Sequence, residues 1–163
     1  MDPTRLDDLL ADPLAGVTLL ADGMTVRAVA AWVVPGEDHL SYTTLTRLVE
    51  CCREHHWARD VLPAAQGEPI EAIARSFSAR FYQAAPVGVV IRLSYQVCAV
   101  RSRMYQLRVV IADPKQRITY ARCALDCVFY DPLSHRACRA TPAVVAHLKR
   151  LETQDDRKSD QPV

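Results

Sequence analysis

The densest polar stretch of this 163-residue chain runs Gly36-Glu-Asp-His-Leu-Ser-Tyr-Thr-Thr-Leu-Thr-Arg-Leu-Val-Glu50-Cys-Cys-Arg53. It holds the carboxylates of Glu37, Asp38 and Glu50, the imidazole of His39, and the hydroxyls of Ser41, Tyr42, Thr43 and Thr44. A carboxylate acts as a general base or a nucleophile, an imidazole as a base, and helix-start N–H groups hold an oxygen that turns negative. Each residue also has a plainer role. Ser41, Thr43 and Thr44 are caps first and substrate donors second. Glu37 and Asp38 suit an exposed turn at the positive end of a helix. His39 is a base, an oxyanion donor or a loop residue whose ring is satisfied locally while its backbone donates. Glu50 can pair with Arg47 or Arg53, three positions away.

Elsewhere the chemistry thins. The five glycines, at 16, 23, 36, 67 and 88, form no phosphate loop, dinucleotide fingerprint or Gly-x-Ser-x-Gly elbow. The six cysteines lie mostly in apolar runs without a Cys-x-x-Cys pair and read as buried thiols. Cys123 and Cys127 share a strand face but have no histidine at ligand spacing, so no metal site is expected. His55 and His56 point about 100° apart on a helix and form no chelate; His56 and Trp57 read as packing. Arg101 and Arg103 flank Ser102, share a face if the strand there continues, and belong to a side-chain type that binds phosphate well. Phe77, Phe81, Tyr82, Tyr95 and Phe129 read mainly as core.

These residues need elements to position them. Leu6, Leu9, Leu10 and Leu14 make a short helical pattern within residues 1–23. Residues 25–34 are apolar and β-branched, a strand. From 44 to 59 the pattern is helical, with Leu45, Leu48, Val49, Cys52 and His56 on one stripe, Thr43 or Thr44 as cap, and Pro63 stopping it or the turn after it. Glu50 then lies about 140° from that stripe and points away from the seam. The period changes to two over 73–83, 87–99, 104–112 and 118–130, with a turn at Asp113-Pro-Lys-Gln. A last helix spans 143–152, and the polar tail 153–163 is expected to be disordered. A strand, one apolar helix and four antiparallel strands make an α+β pattern in which a curved sheet buries the helix.

Composition bounds the partners. Half the residues are hydrophobic, and 20 Lys+Arg against 19 Asp+Glu leave a net charge of +1. No global field draws nucleic acid or an anionic membrane. No window reaches eighteen apolar residues, the acidic N-terminal stretch does not resemble a secretory signal, and the thiols suit a reducing compartment, so a cytoplasmic protein is expected.

The segment His39-Leu-Ser-Tyr-Thr-Thr-Leu-Thr-Arg-Leu-Val-Glu50 resembles the helix-entry motif of hotdog-fold acyl-CoA thioesterases of the 4-hydroxybenzoyl-CoA thioesterase type. That motif reads roughly Asp-x-x-Gly-His-Val-Asn-Asn-x-x-Tyr-x-x-x-x-Glu, with the same His-to-Glu spacing. Phe81-Tyr-Gln-Ala-Ala-Pro86-Val-Gly88 is similar to the family's strand with a Pro- and Gly-containing turn. Val100-Arg-Ser-Arg103 resembles its mid-sheet Arg-Ser, and Val128-Phe-Tyr-Asp131-Pro its closing strand. The likeness covers about residues 25–142. In direct register the family's loop Asp falls on Pro35, its Gly on Asp38, its two Asn on Ser41 and Tyr42, and its helix Tyr on Leu45. A loop shift of two or three residues lets Glu37 or Asp38 replace the Asp, and Glu50 matches the helix carboxylate.

The resemblance implies an α+β hotdog domain over 24–152, an antiparallel sheet wrapped around one central helix, after an N-terminal helical extension over 1–23. It implies hydrolysis of an acyl thioester carried by coenzyme A or an acyl-carrier protein. Glu50, Asp38 and His39 are then the catalytic candidates, with N–H groups around His39–Tyr42 as oxyanion donors. Ser41, Tyr42, Thr43, Thr44, Tyr82, Arg101, Ser102 and Arg103 are the substrate contacts. No cofactor is implied beyond the coenzyme A or phosphopantetheine of the substrate. The expected assembly is a homodimer or dimer of dimers with sites between subunits. The altered loop keeps alternatives open: a polyketide or fatty-acid pathway cyclase, dehydratase or decarboxylating thioesterase, a non-catalytic acyl binder, or a structural dimer.

Overall fold

The computed structural model describes residues 18–20, 23–27, 36, 38–115 and 117–152. The leucine pattern at 6–14, the first strand beyond Arg27, Glu37 and the tail 153–163 lie outside the described residues. Strands β1 (Thr18–Leu20) and β2 (Gly23–Arg27) pair antiparallel. The described part of the expected 1–23 helical extension is therefore strand, because β2 gives it a hydrogen-bonding partner.

Helix α1 (Tyr42–His56) buries Leu45, Leu48, Val49, Cys52 and His56, the stripe expected from the sequence. It starts two residues early because Ser41, not Thr43 or Thr44, is the cap: the Thr44 N–H donates to Ser41 Oγ at 3.3 Å. Pro63 does not stop it. A π-helical turn over Trp57–Val61, in which the Leu62 N–H reaches back to the Trp57 carbonyl, leads into the short α2 (Leu62–Ala65). The wider turn relieves the clash that a proline ring makes with the preceding turn of an α-helix. Gln66, at φ 52°, and Gly67, at φ 84°, end the rod in left-handed conformations.

Strands β3 (Glu71–Phe81), β4 (Val90–Cys98), β5 (Met104–Ala112), β6 (Thr119–Asp131) and β7 (Arg136–Ala137) complete one antiparallel sheet of order β1-β2-β4-β5-β6-β3, with β7 on β6. Alternation puts Ile91, Leu93, Tyr95, Leu107, Val109, Ile111, Leu125 and Phe129 on the face that packs α1. Helix α3 (Pro142–Leu151), capped by Thr141, inserts Val144 and Leu148, and Glu152 accepts the Val100 N–H at 2.9 Å.

β3 is an edge. Phe77 and Phe81, expected as core, are 43% and 37% exposed, because no further strand covers that rim. Ile73 is exposed there too. The rim is thus long and unpaired on its outer side among the described residues, exposing Phe77 and Phe81 beside Arg75, Ser76, Ser78 and Arg80, with a bulge between Ala74 and Ser76.

Candidate active site

Two backbone bonds seat the start of α1 against the loop after β3. Leu40 N–H donates to the Ala85 carbonyl at 2.9 Å and Val87 N–H to the Asp38 carbonyl at 3.0 Å. Between them His39 bridges Pro86, its Nδ1 3.2 Å from the carboxylate of fully exposed Asp38. The Leu40 N–H expected among the oxyanion donors is therefore already used. The Ser41 hydroxyl is engaged by Thr44, and the Leu45 N–H by the Ser41 carbonyl. Tyr42 and Thr43 stand at the first two helical positions, where N–H groups have no intrahelical acceptor. These two are the donors the helix start offers. The Tyr42 ring lies against Phe81 with centroids 4.4 Å apart, and Tyr82 anchors through its N–H to the Tyr120 carbonyl at 2.9 Å.

Glu50 stands farther down the helix, about 14 Å of rise from Ser41. Its side chain is half-exposed and accepts Arg53 Nε at 2.9 Å. Arg53 is buried: Nη1 donates to the Ala72 carbonyl on β3 at 2.9 Å, and Nη2 to the carboxylate of Glu54, which is buried as well. Burial works against the guanidinium charge, but the two carboxylates outweigh it and hold Arg53 above its ordinary range. Arg53, one of the i±3 partners expected, pairs with Glu50. The chain therefore does not bring Asp38 and His39 to Glu50 within one protomer.

Nor does it bring Arg101, Ser102 and Arg103 to the helix start. β4 ends at Cys98, and all three are exposed in the β4–β5 turn instead of sharing a strand face. Ser102 accepts the Ala140 N–H at 2.8 Å and Arg103 the Phe129 N–H at 3.1 Å. In the β3–β6 register Phe129 pairs with Ala72, whereas Ala121 pairs with Phe81 beside Tyr42. Those ends are about 30 Å apart along the strand. The same backbone bonds draw the exposed Arg136 and Arg139 alongside Arg101 and Arg103. Sequence reasoning passed over that pair, since only the return of β7 onto β6 places it.

A second buried polar group ties the π-helical turn to the sheet. Asp60 Oδ2 accepts His56 Nδ1 at 2.9 Å and the Tyr95 hydroxyl at 2.6 Å. His56 is fully buried, its ring centroid 4.9 Å from that of Tyr95. Burial holds the imidazole below its usual range despite Asp60. Burial alone would raise Asp60, but the bonds from His56 and Tyr95 keep it low. Among the described residues no cluster of three or more His, Cys, Asp or Glu is arranged to hold a metal, and no helix is long and apolar enough to cross a membrane.

No family model and no curated protein sequence matches the chain. Solved structures do match. Slr0204, a 1,4-dihydroxy-2-naphthoyl-CoA thioesterase from Synechocystis, is 9% identical over 80% of this chain and 96% of its own, with a TM-score of 0.66. The Dynemicin thioesterase, solved in a study of polyene binding, is 12% identical over 80% of this chain and 96% of its own, at 0.66. The SAV2348 protein from Staphylococcus aureus, solved in complex with CoA, is 6% identical over 90% of this chain and 99% of its own, at 0.67. With its curled antiparallel sheet around one long helix, the chain has the hotdog fold of these structures.

Proposed function

We propose that the protein hydrolyses acyl thioesters at sites shared by two copies of the chain. The observation that carries this reading is a separation. Glu50 and the Arg101–Arg103 turn lie toward the Ala72 end of β3, and the donors of Tyr42 and Thr43 lie toward its Phe81 end. The rim of β3 between them is exposed and presents Ile73, Phe77 and Phe81. A two-fold axis through that rim runs the second β3 antiparallel, so each end meets the opposite end of the partner. Glu50 of one protomer then faces the helix start of the other.

In such a site Glu50 attacks the thioester carbonyl carbon, or takes the proton of a water that does. In the first case a C–O bond forms, the C–S bond breaks, the thiolate leaves and is protonated, and water then opens the anhydride. The N–H groups of Tyr42 and Thr43 hold the oxygen that becomes negative. Tyr82 lines the same end, and the arginine turn is suited to the phosphates of coenzyme A or phosphopantetheine. The acyl-CoA named for Slr0204 and the CoA bound to SAV2348 support this substrate class. The ion pair between Glu50 and Arg53 supports a second reading, an acyl binder whose carboxylate is structural.

Thiol release from a panel of acyl-CoA esters decides between them. Hydrolysis by the wild type that falls at least about 100-fold in Glu50→Gln supports the first reading. Tight acyl binding without turnover supports the second. A strictly monomeric particle in solution scattering overturns the shared site.

A further inference from the structure

The segment around α3 is bonded to the β4–β5 turn, which carries Arg101 and Arg103, at both of its ends. Before the helix, the Ala140 N–H donates to the Ser102 carbonyl at 2.8 Å. After it, Glu152 bridges Val97 through its backbone and accepts the Val100 N–H on its carboxylate at 2.9 Å. Between these two bonds Val144 and Leu148 are fully buried and moor the helix in the core. The segment is a strap across the turn.

The turn needs that strap. Ala99 stands at φ 50°, in the left-handed region that a side chain disfavours. Val100 follows with its side chain buried, so its N–H lies at the edge of the interior, where an unpaired donor is costly. Main-chain partners serve the next three residues: the Arg101 N–H closes on the Met104 carbonyl at 2.8 Å, and the Ser102 and Arg103 carbonyls take Ala140 and Phe129. The strained Ala99–Val100 step is tied by the Glu152 carboxylate, a charged acceptor that holds an N–H more strongly than a neutral one does.

All of these bonds grip backbone, while Arg101 and Arg103 remain exposed. A fixed main chain beneath a planar guanidinium lowers the ordering that phosphate binding requires. Resting on the thioesterase reading, in which this turn meets the phosphates of the substrate, we propose that Glu152 is a positioning residue for substrate binding. Its carboxylate holds the Val100 N–H and, through it, sets the Arg101–Arg103 turn for the phosphates of an acyl-CoA. Glu152 then governs how tightly the nucleotide end of the substrate is held and leaves the chemical step alone.

The test sets octanoyl-coenzyme A against octanoyl-pantetheine, which carries the same thioester without phosphates, using the full chain as wild type, Glu152→Gln, Glu152→Asp and Glu152→Ala. Gln keeps an accepting oxygen at the same reach, Asp falls one methylene short, and Ala has none. Expected on octanoyl-coenzyme A is a KM raised about fivefold or more in Glu152→Ala and less in Glu152→Asp, with kcat within about twofold. Glu152→Gln should stay within about twofold of wild type, and octanoyl-pantetheine should not distinguish the four proteins. A residue that only props the fold would cost both thioesters alike, and that result overturns the proposal. So does an unchanged KM in Glu152→Ala; if that variant does not fold, Glu152→Asp decides by the same criterion. If the wild type hydrolyses neither thioester, the thioesterase reading falls by itself. Calorimetry with coenzyme A and pantetheine then decides the positioning: a wild-type preference for coenzyme A that shrinks in Glu152→Ala supports it, and equal binding of both, or none, ends it.

Discussion

Arg53 holds the carboxylate of Glu50 through a 2.9 Å bond from Nε while its other nitrogens reach Glu54 and the Ala72 carbonyl. One buried guanidinium therefore links the candidate catalytic carboxylate to the edge strand. Arg53→Met removes the guanidinium that faces the buried carboxylate of Glu54, and the expected loss is about 3–5 kcal/mol in urea unfolding. Arg53→Lys, which keeps the charge but not the fork, should lose less stability and still misplace Glu50, lowering kcat more than it changes KM.

A shared site can be tested by complementation. Glu50→Gln removes the carboxylate from one half, and Thr43→Pro removes an N–H from the other at a first-turn position that tolerates proline. Each variant alone should be inactive. Co-expressed in equal amounts, they should regain about a quarter of the wild-type rate, since half the dimers are mixed and each mixed dimer has one intact site. No recovery would mean that both groups serve the same protomer's site.

Acid should loosen the fold in two stages. His56 takes up a proton near pH 6.5 when unfolded, but burial resists that proton in the folded chain. Its contribution is complete above that pH and is lost as the pH falls below it. Asp60 acts in the same direction at lower pH, because its folded carboxyl lies below the ordinary 3.8. Melting temperature should drop between about pH 8 and about pH 5 in the wild type, and the drop should flatten in His56→Leu. An equal slope in both proteins would contradict this.

The thiols should be quiet. Burial pushes Cys123 and Cys127 up to about 11, and Cys138 is the one cysteine that is not buried. Iodoacetamide at neutral pH should add at most one label to the native protein, at Cys138, and six after denaturation. Native labelling of Cys127 would show that the core opens.

Gly23 should not accept a side chain. A Cβ there would lie 1.8 Å from the Leu93 carbonyl oxygen, at φ 152°. Gly23→Ala has to push β2 off β4, and a loss of several kcal/mol or insoluble expression is expected.

Much of this architecture was legible because apolar periodicity is a local property. β5 occupies Met104–Ala112 as the alternation indicates, and the α1 stripe is buried as its spacing requires. Non-local features were not legible. Phe77 and Phe81 alternate like core residues, and only the strand order shows that they lie on a rim. Arg53 reads from the sequence only as a partner for Glu50, and its burial with Glu54 depends on the distant Ala72 carbonyl and the sheet around them. Pro63 reads as a stop because a one-dimensional pattern does not register a widened turn. In the candidate site the residue types could be named, but their division between two ends of the sheet follows from the β3–β6 register.

That widened turn makes Trp57–Val61 sensitive to length more than to content. Removing one residue there would regularise the coil and swing everything beyond it by about 100°. Asp60 would leave Tyr95, and Ala65 would rotate off the interior it now fills. Conservative replacements along these five positions should be survivable, whereas the shortest deletion should not.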